Sequence, residues 1–381
     1  MKVAYIVTVE IWKYDGLSKK IIDQIRSWND LGVQTKAFFL IPPYIEGNQL
    51  PQFDFQYEYI FASPSGVKFI DSEYKFAKFL NFPKLLDSVS EYSPTNIYMR
   101  YELLKPFMIA IYKLKKQADV TVEINMLDLK ERESLTSRSL LSHLVERYNR
   151  MTRSYVFRMA EKFVTVTHEI ASDTSISKFN KPTHVAYNSI DIHQTTIRKK
   201  GNVGRKIRLL FMVSKEYPWH GVDKLYNFAE YYKDEIELLM IGNFLAKSTL
   251  HNVNYAGFLS NLALEAAVES CDIAVSSLAI HRCGLKEACP LKTRDYLAWG
   301  FPTILGYQES IFLSHDLKPW ILQIENTEQS INNNHIQMIN FCRANRGIVV
   351  PKEDVANLVH SEIIEKRRLD FILRTSYQEQ I

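Results

Sequence analysis

The sequence predicts an α/β protein built from two parallel-sheet domains, and three features carry that prediction. One grammar, apolar strand then loop then helix then strand, is written twice, from Val3 and again from Ile207. The strand runs are continuous rather than alternating, as in strands buried on both faces of a parallel sheet. The chain, at 381 residues, also exceeds the ~250–300 at which a single core stops growing.

In the first half, Val3–Val9 reads as the opening strand. A loop containing Gly16 leads into a helix from about Leu17 to Leu31, with Ile21, Ile22, Ile25 and Trp28 on one face. Gly32 ends it, and Gln34–Ile41 completes a strand–loop–helix–strand unit of Rossmann type. The opening lacks the three-glycine dinucleotide fingerprint, which argues against a nicotinamide enzyme. Further strands are predicted at Tyr57–Phe61, Asn96–Met99, Val120–Ile124 and Phe163–Val166, with helices near Ser72–Tyr92 and Leu103–Gln117. Glu123 and Asn125 stand at the carboxyl end of the strand V-T-V-E-I-N, where open α/β sheets place ligands. They could orient a substrate hydroxyl or equally cap the following turn.

Lys130–Lys162 is basic and expected to be helical, through Arg132, Arg138, Arg147, Arg150, Arg153, Arg158 and Lys162. Leu140, Leu141, Leu144, Tyr148, Met151 and Tyr155 add an apolar face at helical spacing. Such a segment is either a solvated surface helix or a contact for an anionic membrane surface. The polar, glycine-bearing run after Arg198 reads as an interdomain linker. The grammar then repeats: strand Ile207–Val213, loop Ser214–Gly221, helix Val222–Tyr232 and strand Ile236–Ile241. Helices are expected at Leu262–Ser270, near Thr327–Arg343 and at Asp354–Lys366.

Composition narrows the class. Hydrophobic content of 46% with 12% aromatic is that of a packed globular protein. A net charge of +4 is too modest to imply nucleic acid. Four cysteines point to a reducing compartment rather than a disulfide scaffold. The N-terminus reads as a first strand, not a signal peptide, and no stretch approaches the ~20 apolar residues of a span. The expectation is a cytoplasmic protein, soluble or peripheral at the inner face of a membrane.

The most informative stretch is His281–Pro302. Strand-like Cys271–Ser276 feeds it and Thr303–Leu305 follows, while Leu291–Trp299 reads as a helix between Pro290 and Gly300. The N-terminus of that helix is a ready anion site. Lys292 there has the wrong sign for the helix dipole, so it either faces solvent or meets a bound anion such as phosphate.

Glu287, seven residues, then Asp295, with Gly300 and Pro302 following, resembles the Glu-x(7)-Glu signature of retaining glycosyltransferases of family 4. Asp stands where Glu is usual, keeping the carboxylate with a shorter reach. The resemblance covers nearly the whole chain and implies a GT-B fold, two Rossmann-like domains facing across a cleft. On that reading residues 1–195 form the acceptor-side domain, 196–206 the linker and 207–365 the nucleotide-sugar domain. The tail 366–381 would pack back on the first domain. The segment V-A-Y-N-S-I-D (Val185–Asp191) resembles the family's Asn-Gly-Ile-Asp, with Ser189 for glycine.

The resemblance also implies roles. Lys215 and His220 fall where the family has the Arg and Lys that contact the donor diphosphate, with Gly221 following; His220 is mostly neutral at pH 7 unless a phosphate raises it. Apart from the resemblance, Lys292 could supply the lost charge if it faces the same pocket. Phe258 and Leu259 lie in the loop that receives the base. Asp295 would accept from the ribose, and Glu287 with the backbone of Ala288, Cys289, Pro290 and Leu291 would position the donor sugar. Gly16, Glu123 and Asn125 fall on the acceptor side, though Gly16 is equally read as a plain turn glycine.

The activity implied is transfer, with retention, from a UDP- or GDP-linked sugar to a glycan or lipid-linked acceptor, in cell-surface polysaccharide synthesis. No cofactor and no metal is expected, since the sequence has no metal-ligand cluster or Asp-x-Asp motif. The alternatives are a non-catalytic GT-B partner subunit, favoured by Asp295 and His220, and a nucleotide-sugar epimerase.

Overall fold

The structure, a computed structural model, describes residues 1–13, 15–63, 82–102, 111–125, 140–193, 195, 206–245, 247–259 and 261–374. It divides into two compact units, one made of Met1–Ala186 and the residues from Ile364 onward, the other of Tyr187–Ile363.

The first unit opens with β1 (Lys2–Val7), α1 (Gly16–Asp30) and β2 (Gln34–Ile41). It continues through β3 (Tyr57–Phe61), α2 (Phe82–Tyr92), β4 (Asn96–Arg100), α3 (Ile111–Lys115), β5 (Asp119–Ile124) and α4 (Leu140–Met159). Next come β6 (Lys162–Thr165), α5 (His168–Ser172), α6 (Thr174–Ser177) and β7 (Thr183–Val185). The seven strands pair in parallel in the order β3-β2-β1-β4-β5-β6-β7, so the chain starts mid-sheet and reverses its growth at the β1/β4 neighbours. On one face Tyr5, Trp28 and Tyr98 meet with ring centroids 4.9–5.5 Å apart and anchor α1 to the sheet.

The second unit repeats the scheme with β8 (Ile207–Val213), α7 (Val222–Tyr231), β9 (Ile236–Gly242), β10 (Val253–Gly257) and α8 (Asn261–Glu269). Strand β11 (Ile273–Val275), β12 (Glu287–Ala288), α9 (Leu291–Ala298), β13 (Thr303–Leu305), β14 (Gln308–Glu309) and β15 (Ile321–Gln323) follow. Helices α10 (Ser330–Asn345) and α11 (Lys352–Val359) close the unit, and α12 (Ser361–Leu373) gives its residues from Ile364 on to the first unit. The sheet order is β10-β9-β8-β11-β13-β15, all parallel, with β12 and β14 forming a separate two-residue parallel ladder. Burial of Leu209, Phe211, Leu238, Met240 and Ile273 with Phe228 and Met338 makes its core.

Several sequence expectations change. The helix expected over 354–366 is two helices, because Ile190 forms a bridge at His360: Ile190 N–H donates to the Val359 carbonyl (2.9 Å) and Ser361 N–H to the Ile190 carbonyl (3.0 Å). The first unit ends at Ala186 rather than at 195, since Ile190 and Ile192 pack among Leu297, Leu305 and Val359 of the second. Lys162 is no surface cation: it is buried, and its Nζ donates to the carbonyls of Phe371 (3.1 Å), Ile372 (3.1 Å) and Arg374, neutralising the C-terminal end of α12. Arg153 is buried as well. Of the expected helices at 72–92 and 103–117 only 82–92 and 111–117 lie among the described residues, and in the second the helix ends at Lys115. Arg132, Arg138 and the linker apart from Lys206 lie outside them.

Candidate active site

The residues that the sequence led one to expect on the donor side all lie in the second unit. Strand β8 ends at Val213 beside Gly242, whose φ of 120° and open α-carbon are required there: a Cβ would sit 1.6 Å from the Val213 carbonyl oxygen. The loop after β8 closes in a 3-10 turn, Pro218–His220, and enters α7 through Gly221 at φ 69°. A Cβ at Gly221 would meet Leu278 at 2.9 Å, so the glycine lets the loop seat on the exit of β11. Leu278 N–H donates to the His220 carbonyl (3.0 Å) and Ala279 N–H to that of Trp219 (3.3 Å). Arg282 adds a clamp, donating to the Pro218 carbonyl (3.1 Å) and pairing with Asp223 (2.7 Å) and Glu328 (2.7 Å).

On this fixed loop the His220 ring has one defined role. Tyr217 N–H donates to its Nδ1 at 3.2 Å, and a nitrogen that accepts is unprotonated. The proton of the neutral ring therefore sits on Nε2. Burial, then the Lys292 charge, holds the His220 pKa well below its ordinary value.

Lys292 is the second residue of α9. Its Nζ lies 4.2 Å from the Phe211 ring centroid and is buried with no hydrogen-bond partner among the described residues. Burial pulls its pKa from 10.5 down to about 7. Among the described residues no carboxylate pairs with it, and an ammonium held over an aromatic face in that way is suited to an anionic partner. Pro290, the residue before α9, supplies no side-chain cap and the first turn holds no acid, so the helix terminus keeps its positive end.

Glu287 is only 4% exposed and sits in β12, paired in register with Gln308 of β14. Asp295 is half-buried on α9, next to Tyr296, whose hydroxyl accepts from Met212 N–H (2.8 Å) and ties the helix to β8. Ala288 is held by Ser310 Oγ at its carbonyl (3.3 Å), and Cys289 is buried. Lys215 is exposed with its ammonium 5.4 Å over the Tyr217 ring, which itself stacks on Trp219 at 4.3 Å. Phe258 is 71% exposed after Gly257, and Leu259 is partly buried against the cluster that includes Tyr296 and Phe301. Sequence reading missed Arg294 and Glu309 and met Asn188 only within the segment Val185–Asp191, without a role; all three are buried or half-buried polar groups around Cys289. The signal for them was slight: an arginine inside an otherwise apolar helix face.

The residues expected on the acceptor side, Gly16, Glu123 and Asn125, lie in the first unit. Gly16 is the first residue of α1, preceded by Asp15 as its cap, which accepts from Ser18 N–H at 2.9 Å. Glu123 is fully buried and committed elsewhere: its oxygens meet Lys20 Nζ (2.7 Å), Arg368 Nη1 (3.2 Å) and the Tyr98 hydroxyl. It braces the core, and only Asn125, which donates to Glu123 Oε1 at 2.7 Å, remains half-exposed at the strand end. Among the described residues no three His, Cys, Asp or Glu side chains are grouped to hold a metal, and no helix is long and apolar enough to cross a membrane.

No family model matches the chain in sequence, and no curated protein matches it. Solved structures do. Sucrose-phosphate synthase from Thermosynechococcus elongatus matches with TM-score 0.71 at 13% identity, covering 100% of this chain and 98% of its own. The lipopolysaccharide outer core galactosyltransferase WaaB matches at 0.62 and 12%, over 98% and 99% of the two chains. HepE from Anabaena, in complex with UDP and glucose, matches at 0.62 and 14%, over 97% and 98%. Such identities speak for the fold. The chain has the GT-B fold of glycosyltransferases, with two Rossmann-like sheets.

Proposed function

We propose that the chain is a retaining glycosyltransferase that transfers a sugar from a nucleoside-diphosphate donor to a glycan or lipid-linked acceptor of a cell-surface polysaccharide. The observation that carries this is the buried Lys292 Nζ at the N-terminus of α9, without a hydrogen-bond partner among the described residues and near enough to His220 for its charge to act on that ring. Together they offer one charge and one neutral donor to a diphosphate. UDP-glucose is the first donor to try, because HepE of the same fold is seen with UDP and glucose.

In the reaction the sugar C1–O bond to the β-phosphate breaks and its electron pair passes to the phosphate oxygen, where Lys292, His220 and the helix terminus stabilise it. The acceptor oxygen bonds to C1 on the same face, and its proton passes to the departing phosphate. Asp295 receives the ribose and Glu287 the sugar hydroxyls. No metal is assigned a role in this scheme.

A thermal-shift panel of UDP-, GDP- and ADP-linked sugars tests the reading, with Lys292→Ala as the control. At pH 6.5 one panel member should raise the melting temperature. Lys292→Ala should weaken that donor about tenfold or more, the worth of a charge-assisted contact of about 1.5–3 kcal/mol. Below pH 7 Lys292 is already charged in the free protein, since its pKa lies at about 7. Above that, binding takes up a proton, so affinity should fall as pH rises, by up to about tenfold per unit. His220→Ala, which loses only a neutral donor, should cost less. A panel with no binder defeats the proposal. Binding without turnover would indicate a non-catalytic subunit, and release of an altered sugar without acceptor an epimerase.

A lipid-linked acceptor would bring the protein to a membrane, and α4 supports this. A surface groove of about 790 Å³ lies on it, lined by Arg147, Arg150, Met151, Ser154, Tyr155 and Arg158. Leu144 and Met151, seven residues apart on one helix face, are 65% and 67% exposed. Apolar side chains flanked by arginines suit an anionic interface. Liposomes containing anionic lipid should sediment the protein, and added salt should release it. Equal binding to neutral vesicles would remove the membrane from the proposal.

A further inference from the structure

We propose that Arg294 is a positioning residue that fixes the loop Glu287–Pro290 in register for the donor sugar, an inference that rests on the role given to Glu287 above. Its guanidinium is 1% exposed, one turn inside α9. Replacing a buried ionic group by apolar side chains of similar volume is often neutral or stabilising, so an arginine here calls for a reason other than stability.

Its contacts supply one. Nε donates to the Asn188 carbonyl (2.8 Å), and Nη2 donates both to Cys289 Sγ (2.9 Å) and to the Glu309 carboxylate. Asn188 closes a ring with the same residue: its N–H reaches Cys289 Sγ (3.1 Å) and its Nδ2 donates to the Cys289 carbonyl (2.6 Å). Cys289 is thus held at side chain and backbone, which sets the plane of the peptide leading to Pro290.

The other edge of the loop is tied to the same guanidinium. Glu309 lies opposite Ala288 in the β12–β14 ladder, and the Tyr307 hydroxyl donates to its second oxygen (3.1 Å). Tyr307 also bonds Thr293 (2.8 Å) and Ser276 (3.0 Å), at the end of β11. One buried cation therefore braces the two-residue strand carrying Glu287 from both sides. A two-residue ladder has little cooperativity of its own, so its register depends on these side-chain ties. Arg294 touches neither the Lys292 ammonium nor His220 in any described hydrogen bond, so loop geometry and diphosphate binding are separable.

The test compares Arg294→Lys with Asn188→Ala in the full chain. Both should keep the affinity for the donor found in the panel within about threefold. Both should lower kcat for transfer by about ten- to hundredfold, as small misplacements of reacting groups do. Combining them should add little, since they act on one brace. Deuterium exchange without any donor should rise in the peptide spanning residues 287–291 in each variant. Unchanged exchange there together with unchanged kcat overturns the inference. Equal losses of kcat, donor affinity and melting temperature do so as well, because they would mark a merely structural role. If Arg294→Lys fails to fold, Asn188→Ala and Cys289→Ala read the same brace. If exchange rises as expected while the wild type turns over no nucleotide sugar, the brace stands and the glycosyltransferase reading fails.

Discussion

Glu287→Gln should fold like the wild type, bind the nucleotide part of the donor, and transfer sugar about a hundredfold more slowly. Glu287 is buried in β12, and glutamine matches its shape, so the ladder to Gln308 and Glu309 survives the exchange. What is lost is the anion. A carboxylate accepting from sugar hydroxyls makes charge-assisted bonds roughly twice as strong as neutral ones. Those bonds gain most when positive charge develops on the sugar ring in the transition state, so the loss falls on kcat rather than on donor affinity. Removing one such pre-oriented group typically costs about 10²–10³ in rate. Initial rates of transfer at saturating donor read the effect, and a variant working at wild-type rate would take Glu287 out of the site. Asp295→Asn should behave differently, raising the donor Kd, because its assigned partner is the ribose and not the reacting centre.

Where the sequence was legible, local chemistry decided the outcome. Gln34–Ile41, Tyr57–Phe61, Ile207–Val213 and Thr303–Leu305 are strands with the ends expected of them, because each is a short apolar run bounded by turns. The helix Leu291–Ala298 is legible for the same reason, with Gly300 at φ 80° stopping α9, whereas Glu287 reads as loop and lies in the two-residue strand β12, whose partner β14 is 21 residues on. Charged residues that are buried were not legible. Lys20, Lys162, Arg294 and Arg368 each read as surface cations in isolation. Their partners lie 103 residues away for Lys20 with Glu123 and 245 for Arg368 with Glu123, distances no local pattern spans. Glu123 shows the mechanism of the error: its position at the sheet's carboxyl end was read correctly, but not the inward direction of its side chain. His360 is similar. Nothing in Lys352–Leu373 breaks a helix, and the break comes from the backbone of Ile190.

The buried cluster around Glu123 should be the stability centre of the first unit, and Glu123→Ala or Arg368→Ala should each cost about 3–5 kcal/mol, the usual loss on breaking a buried ion pair. Four charges balance there. Lys20 and Arg368 flank Glu123, and Arg368 Nε stands 3.0 Å from Glu365, which also accepts from Trp28 Nε1 at 2.9 Å. Strands β4 and β5, helix α1 and the final helix α12 are thereby joined through side chains that no water reaches. Burial alone would raise the Glu123 carboxyl, but the Lys20 and Arg368 charges outweigh it and hold it well below the ordinary range. A carboxylate lowered on folding stabilises fully above its unfolded value, near 4.3, and the benefit disappears as pH falls toward its folded value. The deficit of Glu123→Gln in urea melts should therefore be largest at pH 7 and shrink by about 1 kcal/mol between pH 5 and 3.5. An acceptor-binding role for Glu123 makes the opposite forecast: lower transfer with an unchanged melt. Wild-type stability in Glu123→Ala together with a loss of transfer would restore that role. The expected pattern, a large loss of stability at neutral pH that lessens in acid, instead leaves Asn125 as the only one of the two expected at this strand end with its side chain partly open to solvent.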